Sequence, residues 1–460
     1  MSDEVNQYYL DNGLKVIIKT DNFSPVTSIF VWINTGSAYE NDNQRGIAHV
    51  NEHMIFKGTP NLKVGEISKK IESHGGDINA FTSYDETVYY TTISNNFAHV
   101  ALDVLSESVS HPVFDEIELK KELEVILEEI KRGEDSPSRC LSQMIFSSTF
   151  PNHNYGLPII GTPESVRTFS QANLKDFYNK WYHARNINLI VVTGKKEDEL
   201  HENINRTFGK VNSRDDVSVN FSDEFSSTGL NLAIDYREVN ETYFALSFRT
   251  EKASSLKTSA LDILGVMLGS GESSILNKKI KEDSGLVTSI YSYNFSARHG
   301  GVFVIGGTLL LKNLRDAISL IIKELRKTIS LDFDPNQLER AKTELLTQNL
   351  YENETVQSQA QKLGFLESES GTIGFEKQYL ESIRMIEPNK LKEISQEFIT
   401  ANNLSLNLIA PKDSDKENTE DLKLLLEKSF SDEMKFSKSN FNSFISKKYP
   451  IFNVGYEVPT

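Results

Sequence analysis

Along the first 210 residues, short runs rich in β-branched and aromatic side chains alternate with stretches whose apolar positions recur every three to four residues. Residues 14–18 follow the turn signal Asp11-Asn12-Gly13, and residues 27–33 follow Asp21-Asn22 and Ser24-Pro25; together they read as a hairpin. Ile47, Val50, Met54 and Ile55 then fall at helical spacing. A second helix is predicted near 64–73, broken by Gly75-Gly76, which opens strands at 77–82 and 87–91. Another helix spans 98–110. Asp115 is a good N-cap, with Glu118 three residues on completing a capping box, for a helix running to about residue 132. Helices at 138–148 and 171–182 lead to the apolar strand 189–193.

Residues 210–228 are polar and aperiodic, and beyond them the first half is repeated. Residues 231–234 and 242–248 would be the paired strands, and a helix at 257–268 ends in Gly269-Ser270-Gly271. Phe114-Asp115 matches Phe333-Asp334, an offset that sets Ala341 against Glu122 and Gln348 against Glu129. Aligning Met54 with Met267 sets Asp262, Gly265 and Val266 against His49, Glu52 and His53. The expected architecture is α+β, two homologous domains that each pack helices on a mainly antiparallel sheet. Residues 1–212 form the first, 213–229 a linker, 230–430 the second, and 431–460 a tail or strap.

Composition narrows the function. The 460 residues are 38% hydrophobic and 25% charged, ordinary for a globular protein. The net charge of −16 argues against nucleic acid and anionic membrane as partners. No apolar run approaches the roughly 18 residues of a membrane span. Residues 1–7 have neither the basic nor the apolar part of a signal peptide, which predicts a cytoplasmic location, with periplasm or organelle open if the chain is trimmed. The single Cys140 excludes an internal disulfide and a cysteine zinc site, and its apolar surroundings predict a partly buried thiol.

The chemistry concentrates in His49-Val50-Asn51-Glu52-His53. Residues four apart share a helix face, so both imidazoles can point at one metal, and Glu52 beside them can take a proton from water. The order is the inverse of the common H-E-x-x-H. Glu122 and Glu129 are seven apart and share a face of their own helix, whereas Glu118, Glu124 and Glu128 read as a solvated face.

With Asn12-Gly13-Leu14, Thr35-Gly36-Ser37, residues 49–59, 75–82, 127–130, 155–162 and Trp181-Tyr182, the chain resembles the pitrilysin-type inverzincin metallopeptidases. The half-length members, processing-peptidase-like proteins and mitochondrial processing peptidase subunits, look most similar. The resemblance implies one zinc per chain on His49, His53 and Glu129, with Glu52 as general base and Glu122 as a supporting acid. It makes Asn79-Ala80-Phe81-Thr82 the edge strand that takes the substrate backbone. Family members that complete their own site carry an Arg and a Tyr in a stretch where this chain has Ser284 and Thr288; Tyr291 and Arg298 lie nearby. The Gly269–Glu272 stretch resembles a glycine-bearing loop of the family. The resemblance therefore implies a zinc metalloendopeptidase acting on unfolded peptides or presequences in a closed chamber. It also implies a heterodimer whose paralogous partner brings the Arg and Tyr. A self-sufficient homodimeric peptidase and a non-catalytic scaffold subunit are the alternatives.

Overall fold

Six strands of the first half are Val5–Tyr9 (β1), Lys15–Thr20 (β2), Val26–Ile33 (β3), Asp77–Thr82 (β4), Thr87–Ser94 (β5) and Ile187–Thr193 (β6). They form one sheet in the order β1-β2-β6-β3-β5-β4 in the computed structural model, which describes residues 5–215, 219, 221 and 229–431. Asp11-Asn12-Gly13 joins β1 to β2, with Tyr9 opposite Lys15. The expected pairing of 14–18 with 27–33 does not occur. β6 lies between those strands, parallel to β2 and antiparallel to β3. All seven residues of β6 are buried. A strand buried at every position takes a neighbour on each edge and cover on each face, which a local turn does not provide.

The second sheet repeats this arrangement. Asn231–Arg237 (β7), Thr242–Thr250 (β8), Ser289–Ala297 (β9), Gly300–Leu309 (β10) and Leu404–Pro411 (β11) run in the order β7-β11-β8-β10-β9. Residues 231–234 and 242–248 are again separated, by β11, for the same reason. Among the described residues only β2–β6 and β7–β11 pair in parallel, so both sheets are mainly antiparallel.

The first half contributes helices Ile47–Ile55 (α1), Glu66–Glu72 (α2), Ala98–Ser110 (α3), Glu116–Glu134 (α4), Pro137–Thr149 (α5), Pro163–Val166 (α6), Gln171–Trp181 (α7) and Glu197–Thr207 (α8). The second contributes Thr258–Gly269 (α9), Leu314–Ile329 (α10), Pro335–Tyr351 (α11), Val356–Phe365 (α12), Phe375–Met385 (α13), Pro388–Phe398 (α14) and Thr419–Ser431 (α15). Asp115 caps α4 through the amides of Ile117 and Glu118, and Asp334 caps α11 the same way through Asn336. Glu118 turns its carboxylate to Lys121 rather than back to the cap, so it does not serve the expected capping box. Most of the linker (216–218, 220 and 222–228) and the tail beyond 431 lie outside the described residues.

Each sheet is covered on both faces, and one cover comes from the other half. Ile29, Val31 and Ile33 of β3 join the core beneath the first half's own helices. Phe30 and Trp32 point the opposite way, onto Val356, Ala360 and Leu363 of α12. Reciprocally, Leu141, Met144 and Ile145 of α5 pack on Ala245, Val302, Val304 and Ile409 of the second sheet. Cys140 is buried within this packing and its thiol donates to the Glu134 carbonyl. Burial pushes that thiol up to about 11, which makes it a poor nucleophile.

Candidate active site

α1 begins at Gly46, whose φ is +94° and whose added Cβ would stand 2.5 Å from the Ile160 carbonyl oxygen. Only glycine takes that conformation in that space. The first turn is held by Glu40, whose two carboxylate oxygens accept from the amides of Gly46 and Ala48 at 2.8 Å each. From this anchored start, the helix presents His49 and His53 on one face, ring centroids 4.6 Å apart, toward α4. On α4, Glu122 and Glu129 face back across the gap.

Glu129 Oε2 lies 3.8 Å from His49 Nε2 and 3.9 Å from His53 Nε2. Glu122 Oε2 lies 3.1 Å from His53 Nδ1, while its Oε1 takes Lys57 Nζ at 2.7 Å. That contact puts the His53 proton on Nδ1 and turns the Nε2 lone pair toward Glu129 and His49. The hydrogen bond to His53, with Lys57 behind it, holds Glu122 below the usual carboxylate range. Burial lowers the pKa of His49 and keeps it in the neutral form that binds metal. Burial works the same way on His53, but its bond to Glu122 and the charges of Glu52, Glu129 and Glu122 outweigh it and raise its pKa. A negative environment of this kind suits a divalent cation.

Burial raises the pKa of Glu52, against the opposing pull of His53 and of Thr82, whose hydroxyl donates to Glu52 Oε2 at 2.5 Å. Thr82 closes β4, the outermost strand of its sheet, which pairs through Asn79, Ala80 and Phe81 with β5. Asn79 is exposed, Ala80 and Phe81 are half-buried, and Thr82 is buried. The side chain of Thr82 therefore faces Glu52. That contact, the brace from Lys57 and the cap from Glu40 were not legible in the chain. Each is a single ordinary residue with no motif spacing.

The donor set fits zinc. Two imidazoles and one carboxylate offer ligand atoms all within 4.8 Å of one another, and among the described residues no other such group occurs. Two imidazoles and a carboxylate are one of the ligand sets of catalytic zinc sites, where three protein ligands leave a position open.

Among the described residues the second half holds no counterpart. α9 and α11 pack together as α1 and α4 do. At the place of His49, Asp262 accepts from Tyr379 Oη at 2.5 Å and Asn294 Nδ2 at 2.9 Å, and burial pushes its carboxyl up to about 6. Gly265 and Val266 replace Glu52 and His53. Ser284 Oγ is spent on the Ile280 carbonyl, and Thr288 Oγ1 donates to Glu241. Tyr291 stacks on Tyr293, and in the Gly269–Glu272 loop Ser270 is bonded to Glu344.

Residues 15–163 match the family described as Insulinase (Peptidase family M16), and residues 168–345 match the Peptidase M16 inactive domain. YmxG, an uncharacterized zinc protease of Bacillus subtilis, is 32% identical over 342 residues, which span 74% of this chain and 82% of that one. The chain belongs to the insulinase family of peptidases, M16. It is a zinc metallopeptidase, with the donor set on α1 and α4 to match. A probable mitochondrial-processing peptidase subunit beta of Arabidopsis thaliana is 24% identical over 87% of this chain and 77% of its own. This M16 chain also shares its fold with a protease from Helicobacter pylori, at a TM-score of 0.83 and 22% identity over 89% of this chain and 100% of that one. The first half of the periplasmic protease PqqL of Escherichia coli gives 0.78 at 22% identity over 95% and 99%. Among the described residues no helix is long and apolar enough to cross a membrane.

Proposed function

We propose that this chain is the zinc-bearing subunit of a two-subunit endopeptidase for unfolded peptides or presequences. The observation that carries the reading is the convergence of His49, His53 and Glu129 beside Glu52, at the end of an edge strand. When bound there, zinc supplies the Lewis acidity that makes water a nucleophile at neutral pH. Substrate backbone adds to the free edge of β4 through Asn79, Ala80, Phe81 and Thr82, and so runs past Glu52. Thr82 occupies Oε2 of Glu52, which leaves Oε1 to take the proton from water and pass it to the leaving amine. A carboxylate raised by burial suits a base and acid working near neutral pH. Glu122 holds the Nδ1 proton of His53, and Lys57 holds Glu122.

The two-subunit reading rests on what the second half lacks. Neither Ser284 nor Thr288 offers a guanidinium or a phenol to a developing oxyanion, and both hydroxyls are already engaged. The resemblance to two-subunit processing peptidases, where one half brings zinc and the other an Arg and a Tyr, supports a paralogous partner closing a chamber over this site.

The test is cleavage of a quenched peptide library by the zinc-loaded chain alone, with Glu52→Gln alongside. Zinc bound without cleavage is the expected result, and activity should appear on adding the partner subunit. Cleavage by the wild-type chain alone overturns the two-subunit reading and leaves a self-sufficient peptidase. Cleavage by Glu52→Gln overturns the assignment of the base.

A further inference from the structure

Arg298 sits in the turn between β9 and β10, on the second half, yet its contacts lie largely in the first. Its guanidinium donates from Nη1 to Tyr39 Oη at 2.8 Å, and from Nη2 to Ser368 Oγ at 2.5 Å and Asn34 Oδ1 at 3.5 Å. Around it are the buried carboxyls of Asp85, Glu86 and Glu369. Its own backbone N–H donates to Asp85, which also takes the hydroxyl of Tyr155.

Two of these contacts lead to the site. Tyr39 precedes Glu40, whose carboxylate holds the first amides of α1, the helix of His49, Glu52 and His53. Asp85 and Glu86 form the turn that follows Thr82, closed by the Ser83 amide donating to the Glu86 carbonyl at 2.8 Å. The same turn is tied to the segment before Tyr39, because the amides of Ser37 and Ala38 donate to the carbonyls of Ser83 and Tyr84 at 3.1 and 2.9 Å. One residue of the second half thus grips both places: its guanidinium holds Tyr39 on the approach to α1, and its backbone N–H holds Asp85 in the turn that sets Thr82 against Glu52.

We infer that Arg298 is a positioning residue, through which the second half holds α1 and the Thr82–Glu52 contact in register. It is distinct from the substrate-binding Arg expected of a partner, because its guanidinium is buried and engaged within the chain. A lysine would keep the charge but not the planar fork that reaches Tyr39, Ser368 and Asn34 at once. The inference rests on the peptidase reading only through the role of Glu52.

Hydrogen exchange on the zinc-loaded full chain reads the positioning without activity. Arg298→Lys loses the fork on Tyr39 but keeps the backbone N–H on Asp85, so it should raise exchange about 10-fold in residues 36–56 and leave 77–87, β8 and β10 unchanged. Tyr39→Phe, which removes one acceptor and keeps the ring, should raise exchange in 36–56 and leave 77–87 as in the wild type. In the active assembly, Arg298→Lys should lower kcat about 10-fold at unchanged KM and unchanged zinc content, as expected of a displaced base. Wild-type exchange in residues 36–56 overturns the inference, as does a uniform rise over both sheets. If Arg298→Lys fails to fold, Tyr39→Phe decides alone. If no assembly of the wild type cleaves, the peptidase reading fails, and the exchange result still decides this one.

Discussion

Three carboxylates surround His53, and their second contacts separate their roles. Glu129 faces both imidazoles, Glu52 is held by Thr82, and Glu122 reaches Nδ1 with Lys57 at its back. A metal ligand and an orienting group should respond differently to the same change. Glu129→Gln replaces an anionic donor with a neutral amide and should remove most bound zinc on dialysis. Glu122→Gln keeps an oxygen for His53 but loses the charge, and should weaken zinc binding or activity by about 10- to 100-fold, the usual effect of a group behind a ligand. Chelator-competition titrations of the two variants check this. Equal zinc loss in both would sink the distinction. Of these residues, the two histidines and Glu52 were legible from spacing alone, because a helix forces positions four apart onto one face. The place of Glu129 beside them needed the resemblance, since nothing local brings a residue of one helix to side chains of another.

At the scale of elements, α12 shows how closely the halves are fitted. Gly364 lies where an added Cβ would meet ring carbons of Trp32 at 2.3 and 2.4 Å. Gly to Ala inside a helix ordinarily gains up to about 1 kcal/mol from propensity. Here Trp32 is 1% exposed and has no room to move, so the overpacking cost of about 1–3 kcal/mol should prevail. Gly364→Ala should lower the denaturant midpoint, and a raised midpoint would show that the helix can shift. The same packing explains why most elements were predictable while some pairings were not. Residues 98–110 form the expected helix to the residue, and 77–82 the expected strand. The pairing of 14–18 with 27–33 failed because β6, more than 150 residues further on, competes for the same edges. Local turn chemistry carries no information about that competitor.

For the whole molecule, the exchange of α5 and α12 makes the halves mutually dependent. Without the second half, Ile17, Phe30, Trp32, Val88, Ile190 and Val192 would lose their cover. Burying such side chains is worth about 1.5–3 kcal/mol each, comparable in sum to the stability of a whole domain. Residues 1–212 expressed alone should therefore associate and bind a hydrophobic dye, and should form a one-to-one complex that no longer binds the dye when residues 213–460 are supplied. Size-exclusion chromatography with dye titration checks this, and a stable monomer of 1–212 would contradict it. On this view the second half, which lacks the metal constellation, remains necessary as the outer wall of the first and as the source of Arg298.

By itself the sequence determined where helices and strands begin, that the chain repeats itself, and that His49 and His53 share one face with Glu52 beside them. The elements and the shared face follow from backbone geometry and periods of a few residues, which any short window contains, and the repeat from matching the two halves. Tertiary structure alone decided that β6 and β11 insert into their sheets, that α5 and α12 cross to the opposite half, and that Thr82, Lys57 and Arg298 stand behind the site. Those outcomes depend on which distant surfaces bury one another, and an apolar face or a lone arginine carries no mark of the partner that will cover it.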